Sequence, residues 1–155
     1  MLIGLISDTH GLVRPDVHTA LAGVELILHA GDVGGAEVLD ELALIAPVKA
    51  VYGNTDPPGT PGLAQALDLT LGGVRVHVSH GHELGSPKPA SLAAAYDAEV
   101  IVYGHTHRQD VSRVGAKLIV NPGAAGPRRF DLTACVARLT VRRGKAEAEI
   151  VPLVS

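Results

Sequence analysis

The run Met1-Leu2-Ile3-Gly4-Leu5-Ile6-Ser7-Asp8-Thr9-His10-Gly11 decides how the rest of the chain is read. Leu2 to Ile6 is an apolar stretch of strand length, and Asp8 and His10 break the pattern directly behind it. The stretch lacks a basic leader and is far shorter than the roughly 20 apolar residues of a membrane helix, so it predicts neither a signal peptide nor a membrane span. It predicts a buried strand with Asp-x-His at its carboxyl end.

The same arrangement recurs along the chain. Apolar, β-branched runs at Val24 to Leu28, Val48 to Tyr52, Val74 to Val78, Val100 to Tyr103 and Leu118 to Val120 read as strands. They are followed in turn by Gly31-Asp32, Gly53-Asn54, His80-Gly81-His82, Gly104-His105-Thr106-His107 and Asn121-Pro122-Gly123. In open α/β sheets the carboxyl ends of parallel strands line the ligand crevice, so side chains far apart in sequence can meet there. Glycine beside them lets the backbone turn sharply and approach closely.

Helical spacing falls between the runs, at Pro15 to Leu21, Ala36 to Ile45 and Ser91 to Tyr96, with Pro15 and Ser91 as helix starts. Strands alternating with helices predict an α/β fold. Leu67 to Leu71 and Val74 to Val78 flank Gly72-Gly73, a hairpin signal, and Cys135 to Val141 and Ala146 to Val151 flank a second turn at Arg142 to Lys145. A mixed sheet, or two sheets packed face to face, accounts for this better than a pure doubly wound sheet. The Pro/Gly-rich stretches Thr55 to Gly62 and Gly85 to Pro89 follow polar motifs and read as loops over a site.

At 155 residues the chain has the size of one domain, here residues 1–155. Hydrophobic residues make up 46% but aromatics only 3%, so the core must be aliphatic. The net charge of −3 argues against general nucleic-acid binding by phosphate neutralisation. Cys135 is the only cysteine, which excludes an internal disulfide framework and fits a cytoplasmic setting. Self-association into a homo-oligomer is compatible with the sequence.

Asp8, His10, Asp32, Asn54, His80, His105 and His107 form an oxygen and imidazole donor set suited to borderline divalent ions. Seven donors exceed what one small ion uses. Two ions sharing a carboxylate use them all, and Asp32, alone on its strand end, is the best bridge, giving one oxygen to each ion. With a bridging hydroxide such a site carries a charge of about +1, which attracts an anionic phosphodiester. The neutral amide of Asn54 preserves that charge.

These ordered motifs, Asp8-Thr9-His10 through Asn121-Pro122-Gly123, resemble those of the calcineurin-like metallophosphoesterase superfamily, and within it the small single-domain bacterial and archaeal phosphodiesterases. The resemblance covers almost the whole chain. It implies an α/β fold of two mixed sheets packed as a sandwich flanked by helices, in four layers. It gives one ion Asp8, His10, His107 and the bridging Asp32, and the other Asp32, Asn54, His80 and His105. The implied ions are two divalent cations, Mn2+ first, with Fe2+, Zn2+, Ni2+, Co2+ or Mg2+ as alternatives. The implied reaction is hydrolysis of a small phosphate ester, most simply a phosphodiester, by in-line attack of the bridging hydroxide. Two other classes compete: a non-catalytic scaffold like the retromer subunit of this fold, and a nuclease. Intact donors argue against the first, and the absence of a basic groove or aromatic series against the second.

The chain departs from the family pattern at Thr55, where relatives carry His or Cys, and at Ala124, where they often carry Ser. An aliphatic hydroxyl is a poor general acid, which leaves the leaving oxygen without a side-chain acid or dependent on His82 or a metal-bound water; the catalytic set is Asp32, Asn54 and His82, the last placed to orient the site or contact substrate. Of the remaining residues, His29, just before Ala30-Gly31-Asp32, reads as a satisfied, half-buried histidine rather than as a support behind the metal ligands, His77 as facing out of the sheet, and His18 as solvated. Arg108, Arg128 and Arg129 could bind phosphate or simply occupy charged turns.

Overall fold

The computed structural model describes residues 1–128 and 131–153. Its strands in chain order are β1 (Leu2–Ile6), β2 (Leu26–His29), β3 (Val48–Val51), β4 (Leu63–Ala64), β5 (Leu67–Leu71), β6 (Val74–Val78), β7 (Val100–Val102), β8 (Asp110–Val114), β9 (Lys117–Asn121), β10 (Cys135–Arg142) and β11 (Lys145–Pro152). The helices are α1 (Asp16–Ala20), α2 (Ala36–Ala43) and α3 (Pro89–Ala95), with a 3-10 turn at His82–Leu84. One sheet has the order β11-β10-β1-β2-β3-β4 and the other β5-β6-β7-β9-β8. Strands β1 to β4 run parallel, as do β6, β7 and β9, while β5, β8, β10 and β11 pair antiparallel with their neighbours.

Alternation along each central strand explains the layers. Ile3 and Leu5 of β1, Leu26 and Leu28 of β2, Val74, Val76 and Val78 of β6, and Leu118 and Val120 of β9 meet between the two sheets. Ile6 and Ile27 point the other way, onto Val17, Leu21, Val38 and Leu42 from α1, α2 and the residue after α1. Ile101 and Ile119 do the same on the second sheet, under Leu92 of α3. Central strands buried on both faces therefore read as continuous apolar runs. Each buried Leu, Ile or Val contributes about 1.5–3 kcal/mol, so the four layers are held mainly by aliphatic burial.

Both hairpins form where expected, through Gly72-Gly73 and through Arg143-Gly144. Helix α3 begins at Pro89 rather than Ser91. Proline at the first helical position wastes no N–H, and the Ser91 hydroxyl reaches back to accept the Lys88 N–H at 3.0 Å. His18 is not simply solvated: its Nε2 lies 2.6 Å from Oε1 of Glu41, tying α1 to α2. Among the described residues, no helix is long and apolar enough to cross a membrane.

Candidate metal centre

The parallel strands of both sheets deliver their carboxyl ends to one edge of the sandwich. Backbone pairing continues past the strands into the polar turns: Asp8 N donates to Gly31 O at 3.0 Å, His10 N to Asp32 O at 3.0 Å and Gly104 N to His80 O at 2.9 Å. Two contacts then join the sheets. His80 Nδ1 donates to the Ala30 carbonyl at 2.8 Å, and His105 N donates to Asp8 Oδ2 at 3.2 Å.

All seven side chains singled out in the sequence come together here. Asp8 Oδ2 also accepts the Ser7 hydroxyl at 2.8 Å, which leaves Oδ1 facing His107 Nε2 at 3.4 Å, His80 Nε2 at 3.8 Å and His10 Nε2 at 3.9 Å. Asp32 Oδ2 lies 3.3 Å from His80 Nε2 and 3.7 Å from His10 Nε2. Asn54 Oδ1 lies 3.1 Å from His80 Nε2 and 3.2 Å from His105 Nδ1. The two Asp32 oxygens differ in their surroundings: Oδ1 accepts the Thr55 N–H at 2.9 Å. A single oxygen, Oδ2, faces the histidines of both groups.

This donor set suits a cation. With its Nδ1 proton given to Ala30, His80 turns the Nε2 lone pair toward Asp32 Oδ2 and Asn54 Oδ1, so acceptors converge on acceptors. Asp8 Oδ1 and His10 Nε2, which both face this cluster, are among the buried polar atoms of the described residues without a hydrogen-bond partner, an arrangement that costs free energy unless something positive satisfies them. Donor atoms of Asp8, His10 and His107 lie within 4.8 Å of one another, as do those of Asp8, Asp32 and His80. Burial opposes charge on both Asp32 and His80. Where no cation is bound, a proton on His80 Nε2 takes its place: the hydrogen bond it gives Asp32 holds that carboxyl well below its usual range and, with the charge of Asp8, raises His80. His105 is lowered, by burial first and by His80 second.

The backbone is strained at the same places. Asp8, His10, Asp32, His105 and His107 all adopt positive φ, between 46° and 70°. Outside glycine, Arg143 in the second hairpin is the one other described residue that does so. Left-handed backbone costs a non-glycine residue roughly 1–2 kcal/mol, so five such residues in one cluster mark a site rather than a framework.

Residues 1–144 match the calcineurin-like phosphoesterase superfamily domain. The chain belongs to this superfamily. A probable metallophosphoesterase of Methanothermobacter thermautotrophicus is 34% identical over 160 residues, covering 97% of this chain and 92% of that one. A phosphodiesterase of Methanocaldococcus jannaschii is 29% identical, over 79% of this chain and 83% of the relative. Among solved structures, Vps29 of Entamoeba histolytica complexed with zinc superposes with a TM-score of 0.80 at 25% identity, covering 98% and 99% of the two chains. This calcineurin-like phosphoesterase is thus a metal-dependent hydrolase of phosphate esters on a two-sheet α/β fold.

Several residues that shape the phosphoesterase centre were read only in part, or not at all, from the sequence. His29 is fully buried rather than half-buried. Its Nδ1 accepts the Gly31 N–H at 3.1 Å, so Nε2 donates to Thr9 Oγ1 at 2.9 Å, and that hydroxyl donates to Val33 O at 2.7 Å. Burial is the main reason its pKa drops to about 4. Asp56 accepts backbone N–H groups of Val33, Gly34 and Gly53 at 2.9 to 3.1 Å, clasping the Asp32 turn to the Asn54 turn. Asn121 donates to Gly104 O at 3.1 Å and Thr106 Oγ1 at 3.0 Å, shaping the loop that carries His105 and His107. The signals available were the motif Asn121-Pro122-Gly123 and the place of His29 just before Ala30-Gly31-Asp32; nothing local marks Asp56.

Of the residues left open, His77 does face away from the inter-sheet core but is buried, stacked on Tyr96. His82 sits beside the second group, its ring 5.3 Å from that of His80 and 6.3 Å from that of His105. Arg108 and Arg128 are exposed, and Arg129 lies outside the described residues.

Proposed function

We propose that the chain is a dinuclear phosphodiesterase. Asp8, His10, His107 and Asp32 would hold one divalent ion, and Asp32, Asn54, His80 and His105 the other. The observation that carries this reading is the position of Asp32 Oδ2, 3.7 Å from a histidine of one group and 3.3 Å from a histidine of the other. Such ions supply an activated water and polarise phosphoryl oxygens. Mn2+ is the first choice and Fe2+, Zn2+, Ni2+, Co2+ or Mg2+ are alternatives, since oxygen and imidazole donors discriminate weakly among them.

The chain's own residues do the positioning. Asn54 brings an oxygen without a third negative charge, keeping the centre attractive to an anionic ester. Thr55 supports Asp32 through its backbone N–H, and its hydroxyl is a poor proton donor. His82, beside His80 and His105 and with Nδ1 4.0 Å from Glu83 Oε1, is the group we assign to hold a proton for the departing oxygen. The net charge of −3 supports a small substrate over a polynucleotide, and the lone Cys135 supports a cytoplasmic setting.

The likeness to Vps29 keeps a scaffold as the second reading, but a scaffold does not need a complete donor set. Metal analysis alongside hydrolysis of bis(para-nitrophenyl) phosphate separates them. The enzyme binds two ions per chain and turns over only when loaded; weak binding with no turnover would leave the scaffold.

A further inference from the structure

Beside the second ligand group lies a cavity of about 350 Å3, walled by Tyr52, Gln65, Ser79, His82, Glu83 and Tyr96. Ligand pockets start at about 300 Å3, so this one suits a compact organic group. It adjoins the metal centre through His82, which lines it and whose ring lies 5.3 Å from that of His80 and 6.3 Å from that of His105.

The wall is fixed from behind. Glu83 Oε1 accepts the Gly81 N–H at 2.9 Å and Oε2 accepts the Tyr96 hydroxyl at 2.7 Å. The Tyr96 ring stacks on His77 with centroids 3.8 Å apart, and His77 bridges Asp68 at 2.8 Å and Ser79 at 3.0 Å. Ser79, His77 and Asp68 share the connectivity of a catalytic triad. Ser79 is only 2% exposed, however, and its amide is spent on Val102 O, so it offers neither an accessible nucleophile nor an oxyanion donor of its own. The chain of bonds is a support for the wall.

Glu83 is the one carboxylate among the described residues of this wall, and His82, with Nδ1 4.0 Å from Glu83 Oε1, is the one group there that can oppose its charge. Among the described residues that line it there is no lysine or arginine, and Lys117 nearby is committed to the carbonyls of Ala93 and Tyr96. Glu83 is left as the carboxylate of the cavity, with Asp68 behind it on His77. A carboxylate here repels a second anionic group and attracts a cation, and phenol rings add a cation–π contribution.

We propose that the cavity holds one ester group of the substrate and selects an alcohol bearing a substituted ammonium group, so that zwitterionic phosphodiesters are preferred. The phosphate takes the metal centre and the cation lies among Glu83, Tyr52 and Tyr96. This rests on the phosphodiesterase reading above.

The test compares para-nitrophenyl phosphocholine with its neohexyl counterpart, which replaces the quaternary nitrogen by carbon in the same shape. Both are assayed on metal-loaded wild type and Glu83→Gln, and choline is titrated into chelator-treated protein by NMR. Wild type should favour the choline ester in kcat/KM by about tenfold. In Glu83→Gln the ratio should fall to about one. Choline should shift Tyr52 and Tyr96 resonances of the metal-free wild type and not of the variant. A wild-type ratio near one overturns the proposal, whatever choline does. If neither diester is hydrolysed, the phosphodiesterase reading fails and the titration decides the cavity alone: shifts at Tyr52 and Tyr96 uphold it, and silence overturns it. Should Glu83→Gln fail to fold, the wild-type ratio and titration stand by themselves.

Discussion

A β-carbon on Gly53 would lie 2.1 Å from Oδ1 of Asp32 and 2.4 Å from its backbone nitrogen. The turns carrying Asp32 and Asn54 therefore touch with no room for a methyl group between them. Gly53 is not among the residues of positive φ, so the demand is for space rather than for a special conformation. Gly53→Ala should destabilise the protein by about 1–3 kcal/mol, the usual cost of overpacking, and reduce bound metal at the same time. Urea melts and metal analysis of the same sample check both effects.

Asp32→Asn tests the shared ligand. Asparagine tolerates left-handed backbone and keeps an oxygen for the Thr55 N–H, so the change removes charge with little change of shape. Turnover should fall by more than about 100-fold, beyond the cost of losing a supporting contact alone. Bound metal should fall below two per chain, while the metal-free protein should still fold, its melting temperature lowered only by the lost interaction between the Asp32 carboxylate and His80. Undiminished turnover with two ions bound would sink the assignment.

Chelation should abolish hydrolysis reversibly and leave the sheets intact, because the cluster between them is aliphatic and independent of the metal edge. Ions at 100 times their dissociation constant add about 2.7 kcal/mol to stability, which a melting curve resolves. The far-ultraviolet circular dichroism should be unchanged.

His29 should make the metal-free protein acid-sensitive. Buried neutral with a pKa near 4, it takes up a proton in the unfolded chain below about 6.5 and resists one in the folded state until about 4. Its contribution is complete above pH 6.5 and is lost as the pH falls through that window, by about 3 kcal/mol in all. His29→Gln should flatten this part of the stability profile relative to wild type. Parallel slopes would show that other groups set the acid limit.

The proton for the leaving oxygen divides Thr55 from His82. General acid assistance is typically worth about 10²–10⁴-fold and matters most for basic alkoxides. With His82 as donor, wild type should show a shallow dependence of rate on leaving-group pKa that steepens in His82→Ala. A slope already steep in wild type, and flattened by Thr55→His, would mean that His82 contributes no proton.

Much of this architecture was legible because the central strands are buried on both faces and end in chemistry. Leu2–Ile6 and Val74–Val78 form with the expected bounds, and the polar turns behind them fall on one edge. Two edge strands were missed for physical reasons. Asp110–Val114 alternates polar with apolar and leaves Val111 exposed, and Leu63–Ala64 is only two residues long. The role of Asp56 was invisible because its partners are backbone N–H groups, two of them reached only through the fold, and the full role of His29 because the Thr9 hydroxyl it bonds lies 20 residues away in sequence. Asp56 meets Val33 across 23 residues. His77 showed its outward face by alternation, but not the Tyr96 ring that covers it.

The five left-handed donors also bear on descent. Each exchange of Asp8, His10, Asp32, His105 or His107 for glycine would relax the local backbone, so the functional sequence is held away from its most stable form. A lineage released from the need for metal would drift downhill at these five positions, toward glycine and asparagine. Counting such replacements in any homologous chain would then serve as a gauge of whether selection still maintains its chemistry.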